Sequence, residues 1–110
     1  MPDAKPKKVK VTVVRKVDMR TIHPGQDMGK ADWLEPVCDA FEVGDEFIID
    51  GSDCPQGFCQ GAFVDLFRYI SGLRAGANYF WMKRPGTTVA CCTDGMRPVV
   101  FKLERMEEEI

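Results

Sequence analysis

No apolar run in this chain approaches the about 18 residues that a membrane-spanning helix needs, so a membrane protein is not expected. The opening Met-Pro-Asp-Ala-Lys-Pro-Lys-Lys lacks the apolar core of a secretory signal, which places the chain in the cytoplasm, where thiols stay reduced. An excess of positive charge is missing too: 15 Lys and Arg stand against 17 Asp and Glu, a net charge of −2. Duplex phosphates need a clustered positive field, so nucleic acid is not an expected partner. Histidine is almost absent. His23 precedes Pro24 in a stretch without periodicity, which suits a surface or capping role better than a general base, and nothing places it beside a thiol. Glycine-rich phosphate loops, H-E-x-x-H and serine elbows do not occur. The C-x2-C spacing of zinc sites and the iron–sulfur runs of closely spaced cysteines do not occur either. So thin a catalytic inventory favours a non-enzymatic protein.

The length of 110 residues leaves room for one domain. A domain this small buries roughly two-thirds of the surface its unfolded chain exposes, so pairing with further copies of itself would add apolar burial. Five cysteines, an odd number without paired spacing, do not describe a disulfide framework. The charges are segregated: Lys5, Lys7, Lys8, Lys10, Arg15 and Lys16 crowd the start, and Glu104, Glu107, Glu108 and Glu109 the end. A basic strand facing an acidic partner strand accounts for both runs better than a nucleic-acid arm does.

Residues 1–7 read as a mobile tail and 107–110 as an acidic one, which leaves 8–106 as the domain. Val9, Val11, Val13 and Val17 alternate with Lys10, Thr12 and Lys16, the pattern of a half-buried strand, although Val14 breaks the polar face. Between 18 and 39, Pro24-Gly25, Gly29 and Pro36 interrupt apolar residues of no regular spacing. A short helical turn is expected near 31–34, with Trp33 pinning the segment to the core. Gly44-Asp45 marks a turn, and 46–50 a strand. Cys59, Phe63, Leu66, Phe67, Ile70 and Leu73 then recur at helical spacing, with Asp65 and Arg68 facing the other way. Tyr79, Phe80 and Trp81 fill an aromatic connection that reads as core, or alternatively as the wall of a ligand pocket. Residues 87–92 and 97–105 are expected as strands joined by a tight turn at Thr93-Asp94-Gly95, where Gly95 would take a positive φ. The predicted fold is α+β, a small, mainly antiparallel sheet with one principal helix on one face. The opposite face is left to solvent or a second subunit.

Cys54-Pro-Gln-Gly-Phe-Cys59 places one thiol in a loop and another at the helix start, a setting that suits a nucleophile, a redox thiol or a metal ligand. Alternatively, Cys59 shares the face of Phe63 and Leu66 and packs as a small hydrophobe. Cys91 and Cys92 are adjacent in a strand and point to opposite faces, so both cannot ligate one metal without a bulge. A metal ion held by Cys38, Cys59 and one of Cys91 or Cys92 requires the fold to bring them together. Arg97 is a candidate contact for an anion beside Cys92, or a partner for Asp94 or another acid. Trp81 is a candidate ligand contact.

Three stretches carry a family resemblance: Pro55-Gln-Gly-Phe-Cys59, Trp81-Met-Lys-Arg-Pro-Gly86, and Cys91-Cys-Thr-Asp-Gly-Met-Arg-Pro-Val-Val-Phe-Lys-Leu-Glu104. From about Val9 to Arg105 the chain resembles a family of short bacterial and archaeal conserved hypothetical proteins, which has no assigned activity, cofactor or partner. The resemblance implies a cysteine ahead of the Gly-Asp turn, one after Gly-Phe and one at the end of the third strand. Cys38, Cys59 and Cys92 match those positions, which implies a shared role for the three. Cys54 and Cys91 fall outside the pattern, and 21–33 departs from the family's glutamate-rich segment. Two functions are therefore carried forward. One is a non-enzymatic binding or accessory module that forms a homo-oligomer. The other is a thiol-dependent metal-binding or redox protein using Cys59 with Cys38 or Cys92.

Overall fold

The computed structural model of the chain describes residues 6–22 and 35–109. The alternating valines form strand β1 (Lys7–Lys16), which buries Val9, Val11 and Val13. A four-residue helix, α1 (Met19–Ile22), follows where no element was expected. Asp18 starts it, its carboxylate accepting the Arg20 backbone N–H and pairing with the Arg20 guanidinium. Strand β2 (Glu46–Ile49) leaves the expected turn, in which Gly44 takes φ 97° and the Asp45 N–H donates to the Glu42 carbonyl. The principal helix, α2 (Gln60–Arg74), precedes β3 (Thr87–Cys91) and β4 (Val99–Glu109).

The four strands form one antiparallel sheet in the order β2-β1-β4-β3, and α2 lies across one face. The fold is thus the small α+β architecture that the sequence predicts. Helical periodicity explains the packing: Ala62, Phe63, Leu66, Ile70 and Leu73 form one stripe, buried against the inward residues of the sheet. The stripe ends where Gly76 at φ 103° turns the chain and donates its N–H to the Leu73 carbonyl. Arg105 of β4 donates to the carbonyls of Leu73 and Ala77, satisfying acceptors that a helix end leaves open. On the other side of the sheet Lys10 pairs with Glu46 and Glu104, and Lys102 with Glu104.

The structure corrects several sequence-based boundaries. β1 begins at Lys7 and β4 runs to Glu109, and the two residues are register partners where tails were expected. Basic head and acidic end therefore meet as neighbouring strands. A register shift between Val13 and Arg15 sets Val14 in a bulge, which explains valine at a position that alternation assigns to a polar residue. The same slip brings Lys16 round to donate to the Phe41 carbonyl. Phe67, expected on the buried stripe, is 38 % exposed, its ring tilted against Phe63 at 5.7 Å. The β3–β4 connection is a seven-residue loop, 92–98, rather than a tight turn, and Gly95 has no positive φ. Asp94 shapes that loop, accepting the N–H groups of Met96 and Arg97. The turn expected at 31–34, with Trp33, lies outside the described residues, as does His23. Among the described residues no helix is long and apolar enough to cross a membrane.

Candidate functional site: a cleft lined by three cysteines

Three segments remote in sequence meet at the start of α2. The first is the loop 35–40, which carries Cys38; the second is the helix N-terminus, which carries Cys59; the third is the segment just after β3, which begins with Cys92. All three cysteines line one open cleft of about 480 Å³ whose walls include Phe41, Ala62, Val64 and Val99. Asp65, Thr93 and Asp94 also border it.

Each thiol owes its position to a different local device. Cys59 is the N-cap residue of α2, extended at φ −63° and ψ 123°, with no capping bond from its side chain. Its sulfur is exposed, so it does not share the buried face of Phe63 and Leu66, the alternative drawn from helical spacing. The turn before it is set by Gly57 at φ 84° and by the Phe58 N–H donating to the Pro55 carbonyl. Cys92 ends the β3–β4 ladder: its sulfur accepts the Val99 N–H at 3.3 Å, while its own N–H donates to the Val99 carbonyl. The Cys38 sulfur accepts the Ala40 N–H at 3.4 Å. Two of the three sulfurs thus already receive a backbone donor.

Two residues tie these segments together. Asp65 does not face solvent alone, as its place opposite the apolar stripe suggests; its carboxylate accepts both the N–H and the hydroxyl of Thr93, 2.7 and 3.0 Å away at one oxygen. That clamps α2 to the residue after Cys92. Arg97 lies in the loop ahead of β4, and its guanidinium donates to the carbonyls of Glu35 and Val37 at 3.2 and 3.3 Å. It holds the segment that leads into Cys38. Sequence reasoning offered Arg97 as an anion contact and passed over Asp65. Nothing within α2 singles out Asp65, because its partner Thr93 lies 28 residues away.

The remaining cysteines stand apart. Cys91 is exposed and paired with Val100, on the sheet face away from Cys92 as strand alternation requires. Cys54 is half-buried with its sulfur 3.4 Å from the Phe58 carbonyl. Burial pushes the Cys54 thiol up from its ordinary value, and the neighbouring Cys59 adds to the shift. Because the thiolate is the form that attacks, alkylation of Cys54 should need a higher pH than an ordinary thiol. Iodoacetamide labelling at pH 8 with peptide mass readout should modify Cys54 more slowly than Cys91; equal rates would show that its surroundings leave the thiol unperturbed. Trp81 is 54 % exposed and outside the cleft, its indole N–H donating to the Thr88 hydroxyl. Phe80 beside it is 94 % exposed, whereas Tyr79 is half-buried against the core, so the aromatic connection is core only in part.

Among the described residues no group of three or more His, Cys, Asp or Glu side chains is drawn together closely enough for one metal ion. The three cysteines line the cleft without forming such a group. The chain matches no family model, no curated protein and no solved structure, so the chemistry of this cleft stands on its own residues.

Proposed function

We propose that this chain is a small, non-enzymatic binding module whose ligand site is the cleft of Cys38, Cys59 and Cys92. One observation carries the reading: three cysteines from three separate segments line one cleft, and Asp65 and Arg97 brace the segments that present them. Cysteines used only for packing would be scattered through the core, whereas Cys59 is exposed at the cleft with no bond to its own helix. The occupant is thiophilic, and the site works where thiols stay reduced, as in a cytoplasm. The family of short conserved proteins that the chain resembles would share this site at its three matching cysteines. Protein purified without oxygen and examined by native mass spectrometry and elemental analysis should carry an occupant that Cys59→Ser loses. A parent protein that carries no occupant, or an occupant that Cys59→Ser keeps equally, would overturn the reading. Serine is a favoured N-cap residue, so this variant should fold at least as well as the parent.

A second reading rests on the ring ridge beyond α2. Tyr79 and Trp81 stack at 4.9 Å, Phe80 meets Trp81 edge-on, and Tyr69 closes the row under the Arg68 guanidinium. We propose that a second copy covers this ridge about a two-fold axis, so that each chain contributes the same patch. Light scattering at micromolar concentration should give the mass of more than one subunit, and Phe80→Ser should lower it. A monomer mass for the parent would remove the idea.

A further inference from the structure

Deepening the second reading above, on which it rests, we infer that the second copy docks through the free edge of β3, with Val89 of each chain paired to Cys91 of the other about a two-fold axis at Ala90. β3 is an outer strand, since only β4 lies beside it in the sheet. The phase of its ladder is fixed at both ends. The Arg105 N–H donates to the Gly86 carbonyl, and the Cys92 N–H donates to the Val99 carbonyl. Hydrogen-bonded and non-hydrogen-bonded positions alternate along an antiparallel pair, so Thr88 and Ala90 direct their backbone groups to β4. Thr87, Val89 and Cys91 turn theirs outward.

Burial selects among these three. Thr87 is buried, its hydroxyl donating to the Arg84 carbonyl, so its part of the edge is closed. Val89 and Cys91 are exposed, and among the described residues no strand covers them on the outer side. An antiparallel copy satisfies the outward N–H and C=O of both residues in a single register, with Val89 opposite Cys91 of the second copy. An axis at Val89 would instead set the closed Thr87 opposite Cys91 and leave backbone groups without partners. Composition agrees with an edge meant to be covered. Lysine, proline or a bulge commonly guards an open edge; β3 reads Thr-Thr-Val-Ala-Cys and pairs with β4 without a register shift.

The ring ridge continues this edge. The Trp81 indole N–H donates to the hydroxyl of Thr88, next to Val89, and the Phe80 ring lies 5.2 Å from that of Trp81. A fully covered aromatic side chain buries ~150–250 Å². Phe80 and Trp81, 94 % and 54 % exposed, therefore offer on the order of 300 Å² per chain. A specific interface should clear about 1,000 Å² over both chains. The ridge alone falls short of that, and the adjoining β3 edge adds Val89, Cys91 and their backbone.

Native mass spectrometry and light scattering over a micromolar concentration series test this on the full chain. The parent should show twice the chain mass at the upper concentrations. Val89→Pro removes an outward N–H and no bond of the β3–β4 ladder, while Val89→Lys sets a charge beside the seam. Each should raise the dissociation constant at least about tenfold, with far-ultraviolet circular dichroism unchanged. A crosslink reads the register independently. Ala90 would face its own copy at a non-hydrogen-bonded position, where Cα atoms lie about 4.5 Å apart, within disulfide reach. In a Cys91→Ser background, Ala90→Cys treated with oxidised glutathione should give dimer linked through the introduced thiols, and Val89→Cys much less. Equal linkage at both positions would overturn the register. If Phe80→Ser lowers the mass while both Val89 variants stay dimeric, the ridge pairing stands and the β3 seam falls. A monomeric parent, or one that carries a different polypeptide in place of a second copy, would overturn both.

Discussion

Phe101→Ala is expected to lower the stability of the fold by about 3–5 kcal/mol, the usual cost of emptying a well-packed phenylalanine site. Phe101 is completely buried in β4, with Val13 of β1 as its register partner on one side and Ala90 of β3 on the other. Its ring meets Phe41 edge-on at 5.2 Å and Phe58 at 5.7 Å, and Phe41 and Phe58 in turn contact each other and Phe47. Removing it would open a cavity at the junction of sheet, helix start and the 41–58 segment, and backbone pinned on both flanks cannot collapse to fill it. Small domains hold only about 5–15 kcal/mol in total, so the variant should sit close to the edge of folding. Urea unfolding followed by circular dichroism measures the loss. A decrease under ~1 kcal/mol would mean that the ring cluster contributes little. Val43→Ala, at a side chain 59 % exposed, should change stability by no more than ~0.5 kcal/mol.

Asp65→Ala should cost about 1–2 kcal/mol, toward the low end for a charged hydrogen-bond acceptor because the pair is open to solvent. The larger effect should be on the cleft. Without the carboxylate, the Thr93 N–H and hydroxyl lose their acceptor, and the loop that follows Cys92 is no longer fastened to α2. Cys92 alkylation should therefore quicken, and the retained occupant should fall, even though Asp65 makes no bond to the thiols themselves. Asp65→Asn keeps one oxygen for Thr93 and should lie between the parent and Asp65→Ala in both measurements. Stability and Cys92 labelling unchanged in both variants would show that Asp65 is a solvated surface acid, as helical spacing alone suggests.

The contrast between Leu66 and Asp65 shows how far sequence could reach. Periodicity identifies Leu66 as buried because burial follows the stripe that faces the sheet, a property local to the helix. Asp65 is fixed by Thr93, 28 residues away, and no pattern within α2 carries that information. Alternation likewise separates Cys91 from Cys92 correctly, since facing is a local property of a strand. The aromatic connection fails for a similar reason: composition marks Tyr79, Phe80 and Trp81 as apolar, but only packing decides that Phe80 is left uncovered. Arg97, a candidate for an anion or for Asp94 or another acid, instead donates to backbone carbonyls, which no side-chain pattern reveals. The cysteine triad is a middle case. Residue types nominate it, yet the meeting of Cys38, Cys59 and Cys92 depends on strand order and loop path.

The strand order also governs when the fold can appear during synthesis. β1 is made early, but one of its two sheet neighbours is β4, and β3 joins the sheet only through β4. Until β4 leaves the ribosome, β1 and β2 can form at most a two-stranded ribbon, which is marginal in water, while β3 has no strand to pair with. Closure therefore waits for the most distant pairing in the described chain, and folding is expected to be slow for a domain of this size. It also means that the wall of the cleft beside Cys92 is completed last, since Val99 reaches the site only as β4 docks. Ligand loading should follow the docking of β4 rather than precede it.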